Sequence, residues 1–399
     1  MRAILQSPTQ TTRMLLVFAL VFLTARIAAV RPAQAQPALQ GQSPPAEQHA
    51  LESVAACGNV PYGEPVESAF DYRAPEDQAQ TVAPPSGDAV MLVDLGLFVE
   101  ELTDIDELSS TFALEGYMDM VWCDPTQTFD PDDLGWPVAI FDGYEADLKM
   151  RGIWGPDIVF PNEAGNRETE DKKLTIFPDG TVEYEEKFSA RLEMVYDLRQ
   201  FPFDSQLLEI EMESFSWSDN EMLLHEQTDR IGFGDDFEIP EWHTEALRTE
   251  IRTIQEIRQN EPFSEMVMEI EITRRSGFYI WKMIVPLVML VVLAWSVFWM
   301  HGESVPDRLS VSIVGVLTVV AYQFVITDSL PRVPYITFMD SFFVISYISM
   351  ILAALENVAA GIVASEGNEE FELSLDRTSR WAFPLGFALS MAVVIVIYF

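Results

Sequence analysis

Basic residues are scarce in this chain: 24 Lys and Arg stand against 63 Asp and Glu, a formal charge of −39. Nucleic acids and anionic lipid surfaces need basic patches, so neither is an expected partner, and cations are the expected guests. Cysteine is scarcer still, with Cys57 and Cys123 alone, enough for one bridge in an oxidising compartment and too few for a disulfide framework. Whether the two pair is open at this level. The four histidines, His49, His225, His243 and His301, show no metal-ligand spacing. No glycine-rich phosphate loop and no nucleophile motif occurs, so the sequence offers neither an enzyme nor a metal or cofactor site.

Apolar residues nonetheless make up 49% of the chain. Such a share beside so much charge requires the two to be segregated along the sequence. Arg2 and Arg13, the run from Met14 to Thr24, and Ala33-Gln34-Ala35 have the three regions of a secretory signal peptide, predicted over residues 1–35. Residues 36–88 are rich in Pro, Gln, Ala and Glu and read as a linker or extra N-terminal module.

Residues 89–275 carry short alternating or apolar runs, such as 90–99, 111–122, 174–177 and 266–272, broken by turn signals including Phe177-Pro178-Asp179-Gly180. This pattern predicts an extracellular β-sandwich, immunoglobulin-like in layout. Beyond Arg275 four apolar runs follow, at about 278–300, 309–328, 337–364 and 380–399. Each is long enough to cross about 30 Å of hydrocarbon as a helix, so residues 276–399 are predicted to form a four-helix transmembrane bundle. A secreted first domain and four spans would place both termini outside. In the second run Ser310, Val314, Leu317, Ala321, Phe324 and Asp328 recur at spacings of three and four, which places them on one helical stripe. The stripe passes from hydroxylic through apolar to acidic. Repeated about an axis, it would form a pore.

That segment opens with Pro306-Asp307-Arg308, and its stretch from Thr318, with Val319-Val320-Ala321-Tyr322, runs on into Leu330-Pro331-Arg332-Val333-Pro334-Tyr335. This resembles the second helix and following loop of bacterial pentameric ligand-gated ion channels, the Cys-loop receptor superfamily, and is closest to their amine-gated type. Phe201-Pro202-Phe203-Asp204-Ser205-Gln206 is similar to the superfamily's signature loop, and Trp154-Gly155-Pro156-Asp157 to its W-x-P-D segment. Ala382-Phe383-Pro384-Leu385-Gly386-Phe387 resembles the fourth helix, and Pro286 falls where the first helix usually carries a proline. The loop cysteines of the family would lie near Met194 and Leu208, so no disulfide closes this loop. The link at 365–379 is too short for the cytoplasmic domain of animal receptors.

The resemblance implies a homopentamer of identical subunits around a central pore, in contact with membrane lipid and passing monovalent cations. Rings of Asp307 and Asp328 would favour cations, while Pro306 beside Arg308 is reminiscent of anion-passing relatives. It implies an agonist site of aromatics between subunits, with Phe215, Trp217 and Phe263 as box residues and Asn162 and Glu163 as polar partners. A small extracellular amine is the favoured ligand, with protons or Ca²⁺ as other triggers. Coupling of the sandwich to the pore would use residues 103–108, Phe201, Pro202, Phe203, Asp204, Arg274, Pro331, Arg332 and Pro334. The expected location is the bacterial inner membrane, with the first domain and C-terminus in the periplasm. The rival reading is a membrane-anchored periplasmic binding or adhesion protein, which would not need the graded stripe of the second segment.

Overall fold

The computed structural model describes residues 54–59, 84–234, 237–256, 260–300, 305–327, 333–365 and 369–399. Its first half is built from β1 (Met91–Asp106), β2 (Thr111–Cys123), β3 (Ala139–Asp142), β4 (Ile158–Val159), β5 (Glu168–Ile176), β6 (Thr181–Glu193), β7 (Ser205–Ser214), β8 (Met222–Glu226), β9 (Gly232–Phe233), β10 (Trp242–Glu256) and β11 (Glu261–Arg274). One sheet has the order β3-β5-β6-β2-β1-β8, with β9 also on β1, and the other the order β10-β11-β7-β4. Alternation explains why the two sheets close on each other: Val93, Leu95, Leu97 and Val99 of β1, and Met266, Met268, Ile270 and Ile272 of β11, are buried in the shared core, while Glu269 and Glu271 between the last of them are only partly buried. Trp122 and Trp154 meet edge to face within this core, their rings 5.9 Å apart.

The Phe177-Pro178-Asp179-Gly180 signal is the β5–β6 hairpin turn. Gly180 has φ 89°, a conformation that suits glycine, its N–H donates to the Phe177 carbonyl, and the Asp179 carboxylate accepts from the Thr181 N–H. Part of the Pro-rich N-terminal stretch is fastened to this domain. Cys57 is joined to Cys123 at the end of β2, the Cys57 N–H donates to Thr181 Oγ1 at 3.0 Å, and the Ala55 N–H donates to Asp94 Oδ2 at 3.1 Å.

Four helices long and apolar enough to cross a membrane follow: α1 (Gly277–Trp299), α2 (Val305–Thr327), α3 (Phe338–Ser365) and α4 (Glu369–Tyr398). Within α1, Pro286 lacks the N–H that would bind the Lys282 carbonyl, and the hydroxyl of Tyr322 on α2 donates to that carbonyl instead. The missing backbone bond thereby becomes an α1–α2 contact. The fourth helix begins at Glu369, ahead of the apolar run at Arg380, because its polar first turns bury Asp376 against Arg308 of α2. The predicted signal peptide lies outside the described residues.

Candidate functional site

Where β11 runs into α1, Arg274 sits with its side chain 1% exposed. Its Nε donates to Asp204 Oδ1 at 2.8 Å and its Nη2 to Asp204 Oδ2 at 3.0 Å, a two-pronged pair. Nη1 donates to Oε1 of Glu107, the first residue of the β1–β2 turn, at 2.8 Å. The guanidinium also lies 4.1 Å from the ring centre of Trp242 and 5.0 Å from that of Phe201. Burial by itself would lower the Arg274 pKa, but the hydrogen bonds and charge of Asp204, with Glu107 behind, raise it above the usual range. One permanent cation thus ties the β1–β2 turn and the loop before β7 to the root of the first helix.

The signature loop places its residues around that cation. Phe201 and Pro202 are buried and joined by a cis bond. Phe201 stacks edge-on against Tyr279 of α1 at 4.9 Å, and Phe203 meets Phe338 of α3 and Phe399 beyond α4 at 5.7 and 6.0 Å. On the far side of the loop, Gln206 Nε2 donates to Asp204 Oδ2 at 2.7 Å, fixing the carboxylate. The α2–α3 connection reaches the same loop through Tyr335, whose hydroxyl accepts from the Leu198 N–H at 3.1 Å. Pro334 is exposed beside it, while Pro331 and Arg332 lie outside the described residues. Sequence reasoning names Arg274, Asp204 and residues 103–108 together as coupling residues. It misses Trp242 and Tyr279, whose aromatic character alone carries no signal of a junction, whereas Tyr335 closes the loop Leu330 to Tyr335 that the resemblance points to.

On α2, Ser310, Val314, Leu317, Ala321 and Phe324 share one exposed face, with Leu317 68% and Phe324 71% exposed. Asp307, on the first turn, is also exposed. The opposite face, with Arg308, Ser312 and Val319, is buried against α1, α3 and α4. Asp328 lies outside the described residues. The apolar stripe therefore finds no cover within its own subunit, and beside it an open apolar groove of about 340 Å³ runs between α2 and α3, lined by residues such as Ile313, Val316, Ile351 and Leu355.

The five residues singled out for ligand binding fall in separate places. Phe215 is half exposed, Phe263 is buried at 1%, and Trp217 lies partly buried against Trp154 with its Nε1 donating to the Gly155 carbonyl at 3.0 Å. Asn162 instead donates to the Glu209 carbonyl at 2.8 Å and lines a different hollow with Glu193, Asp197, Glu209 and Glu211. Glu163 bridges to Leu192 beside it. A single subunit thus ties both Phe215, through its N–H to the Asp157 carbonyl, and Trp217 to the segment after Trp154, while Asn162 and Glu163 find their partners on β7 and β6.

A further ionic cluster lies on the β2–β6 face turned away from the core. Arg230, on the turn after β8, donates to Asp119 at 2.9 Å and to Glu183 at 3.0 Å, with Glu185 3.7 Å away. Gly96 makes room for it, since a Cβ there would lie 2.5 Å from the Arg230 Cβ. Burial pushes the Asp119 carboxyl up to about 7, against the pull of Arg230 and with help from the charges of Glu185, Glu183 and Asp229.

Comparison with known proteins finds relatives for both halves of the chain. Residues 76–276 match the neurotransmitter-gated ion-channel ligand binding domain and residues 283–370 the corresponding transmembrane region. A proton-gated ion channel of Gloeobacter violaceus is 26% identical over 79% of this chain and 86% of its own length. The rho-2 subunit of a rat γ-aminobutyric acid receptor is 26% identical over 77% of this chain, and a β-like subunit of a Drosophila melanogaster receptor for the same ligand is 25% identical over 69%. The chain spans 65% of the rat and 57% of the fly protein. Two matches that together take in every strand of the sandwich, most of α1 and all of α2 and α3 leave no room for the plain-anchor reading, and the chain belongs to the neurotransmitter-gated ion-channel family.

Proposed function

We propose that this protein is the subunit of a homopentameric, ligand-gated cation channel of the bacterial inner membrane, with its sandwich and C-terminus on the periplasmic side. The observation that carries the reading is the exposed face of α2, graded from Asp307 and Ser310 through Val314 and Leu317 to Phe324, on a helix whose opposite face, at Arg308, Ser312 and Val319, is buried by its own subunit. Five copies would make it the wall of a pore, with apolar rings able to close by dewetting and a carboxylate ring at one end. The groove beside it is the kind of surface a neighbouring subunit covers. The Arg274 knot supports transmission from the sandwich to α1, because it joins the β1–β2 turn, the signature loop and β11 at one point.

The favoured agonist is a small extracellular amine, held between subunits by a cation–π contact with Phe215 and the edge of the Trp217 patch. Protons and Ca²⁺ are the competing triggers, and the carboxyl of Asp119, near neutrality, favours a proton contribution. The test is recording from the purified protein in planar bilayers while amines, pH and Ca²⁺ are varied. Current that one of these opens, and that reverses near the sodium potential in asymmetric sodium chloride, is the expected result. A monomeric mass in detergent with no current under any condition would sink the reading.

A further inference from the structure

The exposed Asp307 has a neighbour of opposite sign that takes the opposite direction. Arg308 is buried, its side chain 5% exposed. Nη2 donates to Asp376 Oδ1 of α4 at 2.7 Å, and Nη1 lies 3.5 Å from Glu372 Oε1, one turn earlier on the same helix. The Asp376 side chain is itself 3% exposed. One turn further along α2, Ser312 is buried and its hydroxyl accepts from Asn357 Nδ2 of α3 at 2.9 Å. Arg308 and Ser312 thus form a rear seam, held by two different helices, while Ser310 lies roughly 200° around the axis from each.

A guanidinium is a permanent charge and is costly to bury without a partner. Here the partner is on α4, the helix least enclosed by the rest of the subunit. With Asp376 removed, Arg308 would keep only the longer contact with Glu372 and the charge of Glu356 on α3, and a turn of the foot of α2 that carries it toward water would relieve the cation. In a pentamer that water is the pore. Five arginines arriving beside five Asp307 carboxylates would cancel the field that favours cations.

We infer that Arg308 is a positioning residue whose buried pairing with Asp376 of α4 sets the rotation of the foot of α2, so that Asp307 rather than Arg308 faces the ion path. The inference rests on the channel reading. It makes α4 a determinant of ion selectivity although that helix lies behind the pore helix.

The experiment compares reversal potentials in asymmetric sodium chloride for the reconstituted wild type, Asp376→Asn, Arg308→Gln and the double variant, with pentamer assembly checked by size-exclusion chromatography. Asp376→Asn is expected to lower the sodium-to-chloride permeability ratio by roughly fivefold or more, the scale of altering one charge ring. Adding Arg308→Gln should restore it, because the released charge is then absent. A purely structural role would destabilise the pentamer without moving the ratio and without such a rescue. Should Asp376→Asn fail to assemble, Glu372→Gln touches the same guanidinium from a more exposed site and should give a smaller shift in the same direction. Unchanged ratios in assembled variants overturn this inference alone, whereas a wild type that passes no current overturns the channel reading and this inference with it.

Discussion

Arg274 is where residue chemistry and domain architecture meet. Removing either member of a buried pair strands the other, so Arg274→Ala and Asp204→Ala should each destabilise the protein by about 3–5 kcal/mol. Arg274→Lys keeps the charge but loses the two-pronged geometry with Asp204 and should recover only part of the loss, read as the thermal midpoint in detergent. Asp119 makes a different kind of prediction. Its carboxyl titrates at about 7 in the folded protein against 3.8 in a free chain, so the folded state binds this proton more tightly. The resulting stability is fully present below the unfolded value and is lost as pH rises through about 7, a difference of up to about 4 kcal/mol by linkage. Asp119→Asn stays neutral throughout, so its thermal midpoint should gain on the wild type as pH rises from 5 to 8. A constant gap would place the titration elsewhere. Asp119 was not legible in the sequence, because an acid on an alternating strand reads as a wet position, and Arg230, which caps it, lies more than a hundred residues away.

At the scale of elements, α2 was the most legible part of the chain. A helix facing its own bundle on one side and nothing on the other must carry a stripe at spacings of three and four, and that stripe is exposed from Ser310 to Phe324. Leu317→Ala should shrink the apolar ring and favour the open pore, raising resting current or lowering the agonist concentration for half activation several-fold. Unaltered activation would argue against Leu317 facing the lumen. Asp307→Asn should move the reversal potential away from the sodium potential, with little change in activation. The start of α4 was less legible. Hydropathy marks the run from Arg380, yet the helix extends back to Glu369, because Asp376 and Glu372 gain a buried cation that only the folded bundle supplies.

For the whole molecule, the order of a sandwich and then four helices follows from the change of period in the sequence, from two to helical. What that order does not contain is the way in which the halves are joined. The junction depends on side chains from the β1–β2 turn, the signature loop, β10, β11, α1 and the α2–α3 connection, whose only common property is their place in the fold. The proposed ligand residues are hard to read for a related reason: Phe215 and Trp217 are tied to the segment after Trp154, whereas Asn162 lines another hollow and Glu163 bridges to Leu192.

The central claim is that the exposed face of α2 lines the ion path. Both native cysteines are consumed in one disulfide, so an introduced thiol can be read without background. Cysteine substitutions at Ser310, Val314 and Leu317, and at the rear positions Ser312 and Val319, would be treated with a charged thiol-reactive reagent during recording from bilayers. Block of the current at the first three positions and none at the last two is the predicted result. Block at the rear positions, or at none of the five, would contradict it.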